Sequence, residues 1–227
     1  MDLIQQLDSR LFVMINSQVG RWPWLDAAAR LFVNDYFVPT VLALLLLALW
    51  FEGTSLVSLT ANRRAVLVGA LSAGLANILL KAINILYDRP RPFEALEVNL
   101  LFYRPSDPSL PSNAAALGFS IAAGVWFYQR RWGGMLLAIA GLFAFSRMYG
   151  GGHYPLDILS GALLGLTSAW VIRRQGALID VLLRLIIGLT ETFRLVPEPA
   201  SQRSFVSVCG NPKTVRNCHS TDEMKQG

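Results

Sequence analysis

Apolar residues fall into two patterns along this chain. Over residues 2–17, Leu3, Ile4, Leu7, Leu11, Phe12 and Ile15 recur at helical spacing against Gln5, Asp8 and Ser9. That spacing predicts an amphipathic helix lying at a membrane surface, too polar to span it. Arg21-Trp22-Pro23-Trp24 breaks this helix, and its two Trp side chains suit the headgroup layer. A short helix over 24–33 leads into the second pattern, a series of apolar runs: Phe37 to Phe51, Ala65 to Tyr87, Ala114 to Tyr128, Gly134 to Phe145 and Ile158 to Ile172. Crossing a hydrocarbon layer of about 30 Å takes roughly 20 helical residues, and flanking Trp, Tyr and Gly extend the shorter runs into the interface. Residues 177–195 carry Asp180, Arg184 and Glu191 among leucines and isoleucines. They read as an interfacial helix, with a sixth span as the alternative.

The expected fold is therefore all-α: a polytopic membrane helical bundle of five to six transmembrane helices plus N-terminal interfacial helices. The expected divisions are 1–35 for the interfacial helices, 36–195 for the membrane domain and 196–227 for a polar tail. The tail is too poor in apolar side chains to order itself and is expected to be disordered.

Composition supports a membrane. Of 227 residues, 53% are hydrophobic and 15% charged, against about 25% charged in an average soluble domain. A soluble bundle is set aside because too few polar segments exist to coat so much apolar surface. No cleavable leader is read at the N-terminus, where Asp2, Gln5, Gln6 and Asp8 interrupt any apolar start. The two cysteines, Cys209 and Cys218, both lie in the tail and suggest neither a disulfide scaffold nor a metal site. No cofactor, metal or nucleic-acid partner is expected.

Short basic clusters set the orientation. Arg63-Arg64, Arg130-Arg131 and Arg173-Arg174 fall at span ends that alternate to one side, which the positive-inside rule makes cytoplasmic. The opposite, outer side receives the connections Tyr87–Ser112 and Arg147–Pro155, which hold nearly all the unusual chemistry.

Three outer segments suit a phosphate. In Asp88-Arg89-Pro90-Arg91-Pro92-Phe93, two prolines stiffen the chain beside arginines whose planar forks match phosphate oxygens. In Pro108-Ser109-Leu110-Pro111-Ser112-Asn113, Ser112 sits where a helix cap belongs, and the helix start offers free N–H groups to an anion. Between Ser146-Arg147 and Asp157 lie three glycines and His153, with His153 and Asp157 four residues apart. One helical turn would bring that carboxylate to the imidazole, and a His steadied by an Asp is the arrangement that makes a nucleophile or base.

These three motifs, in this order at span ends on one side, resemble those of the type 2 phosphatidic acid phosphatase family. Its members are six-helix membrane enzymes, related in core to vanadium haloperoxidases. The third motif matches in full from Ser146-Arg147 through His153 to Asp157, the first at Arg91-Pro92 and the second at Pro111-Ser112. The resemblance implies that His153 attacks phosphorus and becomes a phosphohistidine, while Asp157 orients it. It further implies that Arg91, Arg147, Ser112, Asn113 and nearby amides hold the phosphate oxygens without a metal. The family's lysine falls on Asn84, with Lys81 one turn earlier as a substitute, and Arg89, Arg104 and Lys81 are spare cations for a second phosphate.

One departure is chemical. Ala114 stands where the second motif has the histidine that protonates the leaving group, so this chain is expected to be slow or inactive. It is either a phosphatase-like binder or an inactivated form of an active enzyme, the second being favoured because the remaining machinery is intact. The motif segments look most like bacterial undecaprenyl diphosphate phosphatases. That implies hydrolysis of an isoprenyl diphosphate at the outer face of the bacterial cytoplasmic membrane. Alternatives are a phosphatidylglycerophosphate or lipid A phosphatase, a lipid A phosphotransferase, and a non-catalytic lipid-phosphate binder or transporter.

Overall fold

The computed structural model describes residues 3–192, and all regular structure among them is helical. In chain order the helices are α1 (Leu3–Asn16), α2 (Pro23–Phe32), α3 (Phe37–Phe51), α4 (Leu56–Leu86), the single turn α5 (Pro92–Ala95), α6 (Asn113–Trp126), α7 (Arg130–Tyr149), α8 (Pro155–Arg174) and α9 (Gly176–Thr192). Residues up to Leu183 form one compact unit; a second begins at Arg184, and its described part is the end of α9. The tail 196–227, with both cysteines, lies outside the described residues.

Local chemistry explains where the helices exceed the apolar runs. Helix α4 starts at Leu56 rather than Ala65 because Ser55 caps it, its hydroxyl accepting from the Ser58 amide at 3.2 Å. Arg63 and Arg64 then lie inside the helix. Arg63 sits over the Trp50 ring at 5.5 Å, and Arg64 pairs with Asp180 at 2.6 Å. Helix α8 begins on Pro155, whose fixed φ and missing N–H suit a first turn, and ends at Arg173-Arg174.

By length and composition α4, α7 and α8 can cross a membrane, and the pair α2 and α3, bent by 62°, counts as a fourth span if taken together. Helix α6, at 14 residues, is about 21 Å long and short for a crossing on its own. Its place explains this: it packs against α4, α7 and α8 at the centre of the bundle and is buried nearly all round. Helix α9, at 17 residues, is shorter than the three long spans.

Helix α1 is amphipathic, as its pattern predicts, and the stripe it turns to the protein is mixed, with Phe12 fully buried between two polar residues. Asp8 and Asn16 are buried, while Leu3, Ile4, Leu7, Leu11 and Met14 are exposed, an apolar face suited to lipid. Asn16 donates to the carbonyls of Asn99 and Tyr149, both at 2.9 Å, and accepts from the Asn99 amide at 2.8 Å. These bonds tie α1 to the α5–α6 and α7–α8 connections that carry the candidate chemistry.

Close helix contact depends on absent side chains. A Cβ on Gly161 would lie 2.4 Å from the Ser112 carbonyl oxygen, and one on Gly165 would lie 2.6 Å from that of Ala116. The α6–α8 seam is thus set by backbone against backbone, the small-residue packing typical of membrane helices. Gly165→Val is expected to lower stability by about 1–3 kcal/mol through overpacking. Gly74→Ala, where nothing lies within 4 Å, is expected to cause no loss. Thermal unfolding of both variants in detergent measures the difference, and equal midpoints would contradict the packing argument.

Candidate active site

At one end of the bundle four helix ends meet: the C-termini of α4 and α7 and the N-termini of α6 and α8. Two loops fill the space between them. Pro92 opens α5 and leaves Arg91 at its N-cap, 2% exposed and turned inward. Gly150 to Gly152 close α7, and Gly151 adopts φ +91°, a left-handed conformation that brings the chain back toward the bundle.

His153 follows, 3% exposed. Its Nδ1 is 2.9 Å from the Ser109 carbonyl oxygen. A carbonyl can only accept, so Nδ1 carries the proton and Nε2 presents its lone pair. The Nη1 of Arg91 approaches Nε2 at 3.3 Å and donates to the Gly152 carbonyl at 3.0 Å. The rest of the Arg91 fork is held by Asp107, through the backbone carbonyl at 2.8 Å and the carboxylate at 2.9 Å.

Asp157 is fully buried behind the imidazole. Its carboxylate receives Arg89 Nη1 at 2.5 Å, the Ser109 hydroxyl at 2.5 Å and the Tyr154 amide at 2.8 Å. The nearest approach to His153 is 3.9 Å, from Oδ2 to Nδ1. Asp157 therefore acts on His153 at one remove: it fixes Ser109, and Ser109 fixes the ring. Arg89 in turn holds Asp8 at 2.6 Å and lies over the Tyr154 ring at 4.4 Å. Burial disfavours the charge on Arg89, but its bonds to Asp8 and Asp157 outweigh that and raise its pKa.

In front of the imidazole lies a cavity of about 410 Å³. Arg91, Arg147 and His153 line it together with Asn113 and Ala114 from the first turn of α6, and Asp35, Tyr103 and Asp107 complete its polar wall. Arg147 packs its guanidinium between the Phe102 and Phe143 rings, at 5.2 and 5.3 Å, and pairs with Asp35. Two buried guanidiniums, a lone-pair nitrogen and a helix N-terminus thus converge on one space, an arrangement suited to an anion with several oxygens.

Residues 65–178 match the model of the PAP2 superfamily. That stretch holds every motif around the cavity. The chain belongs to the PAP2 superfamily. Among similar proteins, it is 36% identical over 165 residues to the bacitracin transport permease protein BcrC of Bacillus licheniformis, covering 72% of this chain and 78% of that one. It is 29% identical over 174 residues to undecaprenyl-diphosphatase BcrC of Bacillus subtilis, covering 75% and 86%. A crystal structure of LpxE from Aquifex aeolicus shares the architecture with a TM-score of 0.58 and 29% identity, over 73% of this chain and 93% of that one. This PAP2 protein is a membrane-embedded lipid phosphatase by family.

Within this PAP2 site the sequence-based expectations divide. Arg91, Arg147, Asn113, Ala114 and His153 share the cavity wall, with Asp157 behind them. Arg89 is a correction: it holds Asp157 and Asp8 and does not line the cavity. Ser112 is another, since its fully buried hydroxyl faces the Ala115 amide as the α6 cap and its own amide bonds the Asp157 carbonyl. Lys81 and Asn84 stay on α4 outside the cavity lining, Lys81 exposed on the helix surface, because the chain turns inward only after Tyr87. Asp157 takes its place through Ser109 because α8 begins only at Pro155, which leaves His153 outside any helical turn. Pattern reading missed Asp8, Asp35, Tyr103 and Asp107, and left Ser109, inside the second candidate segment, without a role. Asp8 and Asp35 carried a faint signal, as carboxylates beside apolar stretches.

Burial holds the His153 imidazole below its ordinary pKa; Asp157 pulls the other way, and Arg91 and Arg147 add to the lowering. The ring is thus neutral at pH 7, and the neutral form persists below the ordinary value of about 6.5. A pH titration of histidine ¹⁵N resonances should show one of the two histidines gaining its second proton only below the ordinary histidine range, with Nδ1 protonated in its neutral form, and that signal should vanish in His153→Gln. Protonation at or above pH 6.5 would contradict the burial argument.

Proposed function

We propose that this chain hydrolyses an isoprenyl diphosphate, such as undecaprenyl diphosphate, to the monophosphate at the outer face of a bacterial cytoplasmic membrane. The observation that carries the reading is the His153 tautomer, with Nδ1 committed to Ser109 and Nε2 open beside Arg91. The names of the BcrC relatives, one an undecaprenyl-diphosphatase, support the substrate class.

The steps follow from these groups. Nε2 forms a bond to the terminal phosphorus as the bridging P–O bond breaks, and the electron pair leaves on the oxygen of the lipid monophosphate. Arg91 and Arg147 stabilise the charge that builds on the transferring oxygens. Water then attacks the phosphohistidine, releasing inorganic phosphate and restoring the imidazole. Metal-free catalysis is part of the proposal, since the two guanidiniums supply the positive charge.

Ala114 favours a diphosphate over a monoester on chemical grounds. Cleaving a diphosphate expels a phosphate monoester whose second pKa is about 6, so it departs without strong acid help. Cleaving a lipid monophosphate expels an alkoxide, for which a missing proton donor costs about 10²- to 10⁴-fold. The chain is accordingly a slow diphosphatase and a still poorer monoesterase.

Phosphate release from a panel of lipid phosphates in detergent, with EDTA present, tests all parts. Ala114→His is expected to raise turnover of isoprenyl diphosphate about a hundredfold, and of phosphatidate-type monoesters by more. Equal turnover in the two forms would refute the proton-donor gap. Full inhibition by EDTA would refute the metal-free step, and preference for a monoester in the parent chain would refute the substrate class. Binding without turnover by the Ala114→His form would favour a lipid-phosphate carrier instead.

A further inference from the structure

The two cavity arginines are already paired with carboxylates of the chain itself. On Arg147 the pairing is the more confining. Its ring-facing sides are covered by Phe102 and Phe143, and its Nε is buried without a hydrogen-bond partner. The Nη2 edge is taken by Asp35 Oδ1, and the other oxygen of Asp35 accepts from the Tyr103 hydroxyl. Asp35 itself stands at the break between α2 and α3, where Asn34 Oδ1 accepts from the Tyr36 and Phe37 amides at 2.9 and 3.1 Å. This turn fixes where the carboxylate emerges, and Asp35, Tyr103 and Arg147 all line the cavity.

A phosphate arriving at Arg147 meets that carboxylate first. Two anions on one guanidinium edge repel, so substrate binding and the Asp35–Arg147 pair exclude one another. We propose that Asp35 is a specificity-determining residue that competes with the substrate phosphate for Arg147, and that binding displaces it together with Tyr103. The proposal rests on Arg91 and Arg147 being the phosphate-binding groups. Its consequence is selective: a doubly charged terminal phosphate can replace the carboxylate on Arg147, whereas a singly charged phosphodiester headgroup leaves the pair intact. Asp107 plays a lesser part at Arg91, because it is 54% exposed and its pairing is screened by water and salt, while Asp35 is 29% exposed.

Titration of the full chain in detergent with inorganic phosphate, followed by calorimetry and by the thermal midpoint, tests the idea. Asp35→Asn is expected to bind phosphate about tenfold more tightly than the parent, because truncating one partner of a buried charge pair leaves the other seeking a counter-ion. Its thermal midpoint, lowered without phosphate by the uncompensated Arg147, should also rise more steeply with phosphate. Tyr103→Phe leaves every charge in place and only loosens Asp35, so it should tighten binding by about two- to threefold. It also serves as the readout should Asp35→Asn fail to fold. Adding Arg147→Gln to either variant should abolish the gain. Unchanged or weaker phosphate binding in both Asp35→Asn and Tyr103→Phe, with Arg147→Gln still impairing the parent, would overturn the competition while leaving the phosphate site standing. If no form binds phosphate and Arg147→Gln changes nothing, the proposal falls together with the site on which it rests.

Discussion

Asp157 is a carboxylate with no exposure to solvent, and the candidate site is arranged around keeping it charged there. An ionised group in such a place is costly unless it is paired and hydrogen-bonded. The chain supplies an arginine, a hydroxyl and a backbone amide, from the segment after α4, the segment before α6 and the start of α8. Satisfying one carboxylate therefore fixes three segments relative to one another. The Ser112 amide bonds the Asp157 carbonyl at 2.9 Å and locks the α6 and α8 N-termini together, where glycines let the helices touch. The His153 tautomer is a consequence of this network: Ser109 is fixed by its hydroxyl on Asp157 and by its amide on the Arg89 carbonyl, and its own carbonyl then selects the proton position on the ring.

The network reaches the N-terminal helix as well. Asp8 closes the second side of Arg89 and accepts from the Leu156 amide at 2.9 Å. A helix whose exposed apolar face suits lipid is thereby anchored behind His153 through Asp8. Arg89 illustrates why position alone misleads. It stands two residues from Arg91 in a motif suited to phosphate, yet it is drawn away from the cavity by the two buried carboxylates it pairs with, Asp8 and Asp157.

What the sequence made legible is what repeats or clusters. Apolar runs announced α3, α4, α6, α7 and α8, and three motifs in order grouped Arg91, Arg147, His153 and Asp157 as one candidate site. What stayed hidden depends on pairs distant in the chain: Asp8 lies 81 residues from Arg89, and Asp35 lies 112 residues from Arg147. No local periodicity encodes such contacts. Helix ends were misjudged for a related reason. A hydropathy run stops at the first arginine, whereas α4 continues through Arg63 and Arg64 because Trp50 and Asp180 receive their charges. The Asp157–His153 relation was half legible: spacing of four suggested direct contact, but Pro155 starts α8 after the histidine and leaves Ser109 to join them.

The charges around the imidazole carry the final step. Three arginines, Arg89, Arg91 and Arg147, face four carboxylates, Asp8, Asp35, Asp107 and Asp157. Their formal sum beside a neutral His153 is negative, which would repel a phosphate were all four carboxylates fixed. They are not equivalent. Asp8 and Asp157 are buried and share Arg89, away from the cavity, so their pairing serves the scaffold. Asp35 and Asp107 lie on the cavity wall, partly exposed, each on one of the two arginines that face the open Nε2. Once hydrated outside, those two carboxylates lose little, whereas a phosphate entering between Arg91 and Arg147 gains two forked, desolvated donors. On the proposed competition the site is negative as it rests and positive as it binds, and exchange of carboxylate for phosphate would reconcile a buried pair of arginines with a stable empty fold.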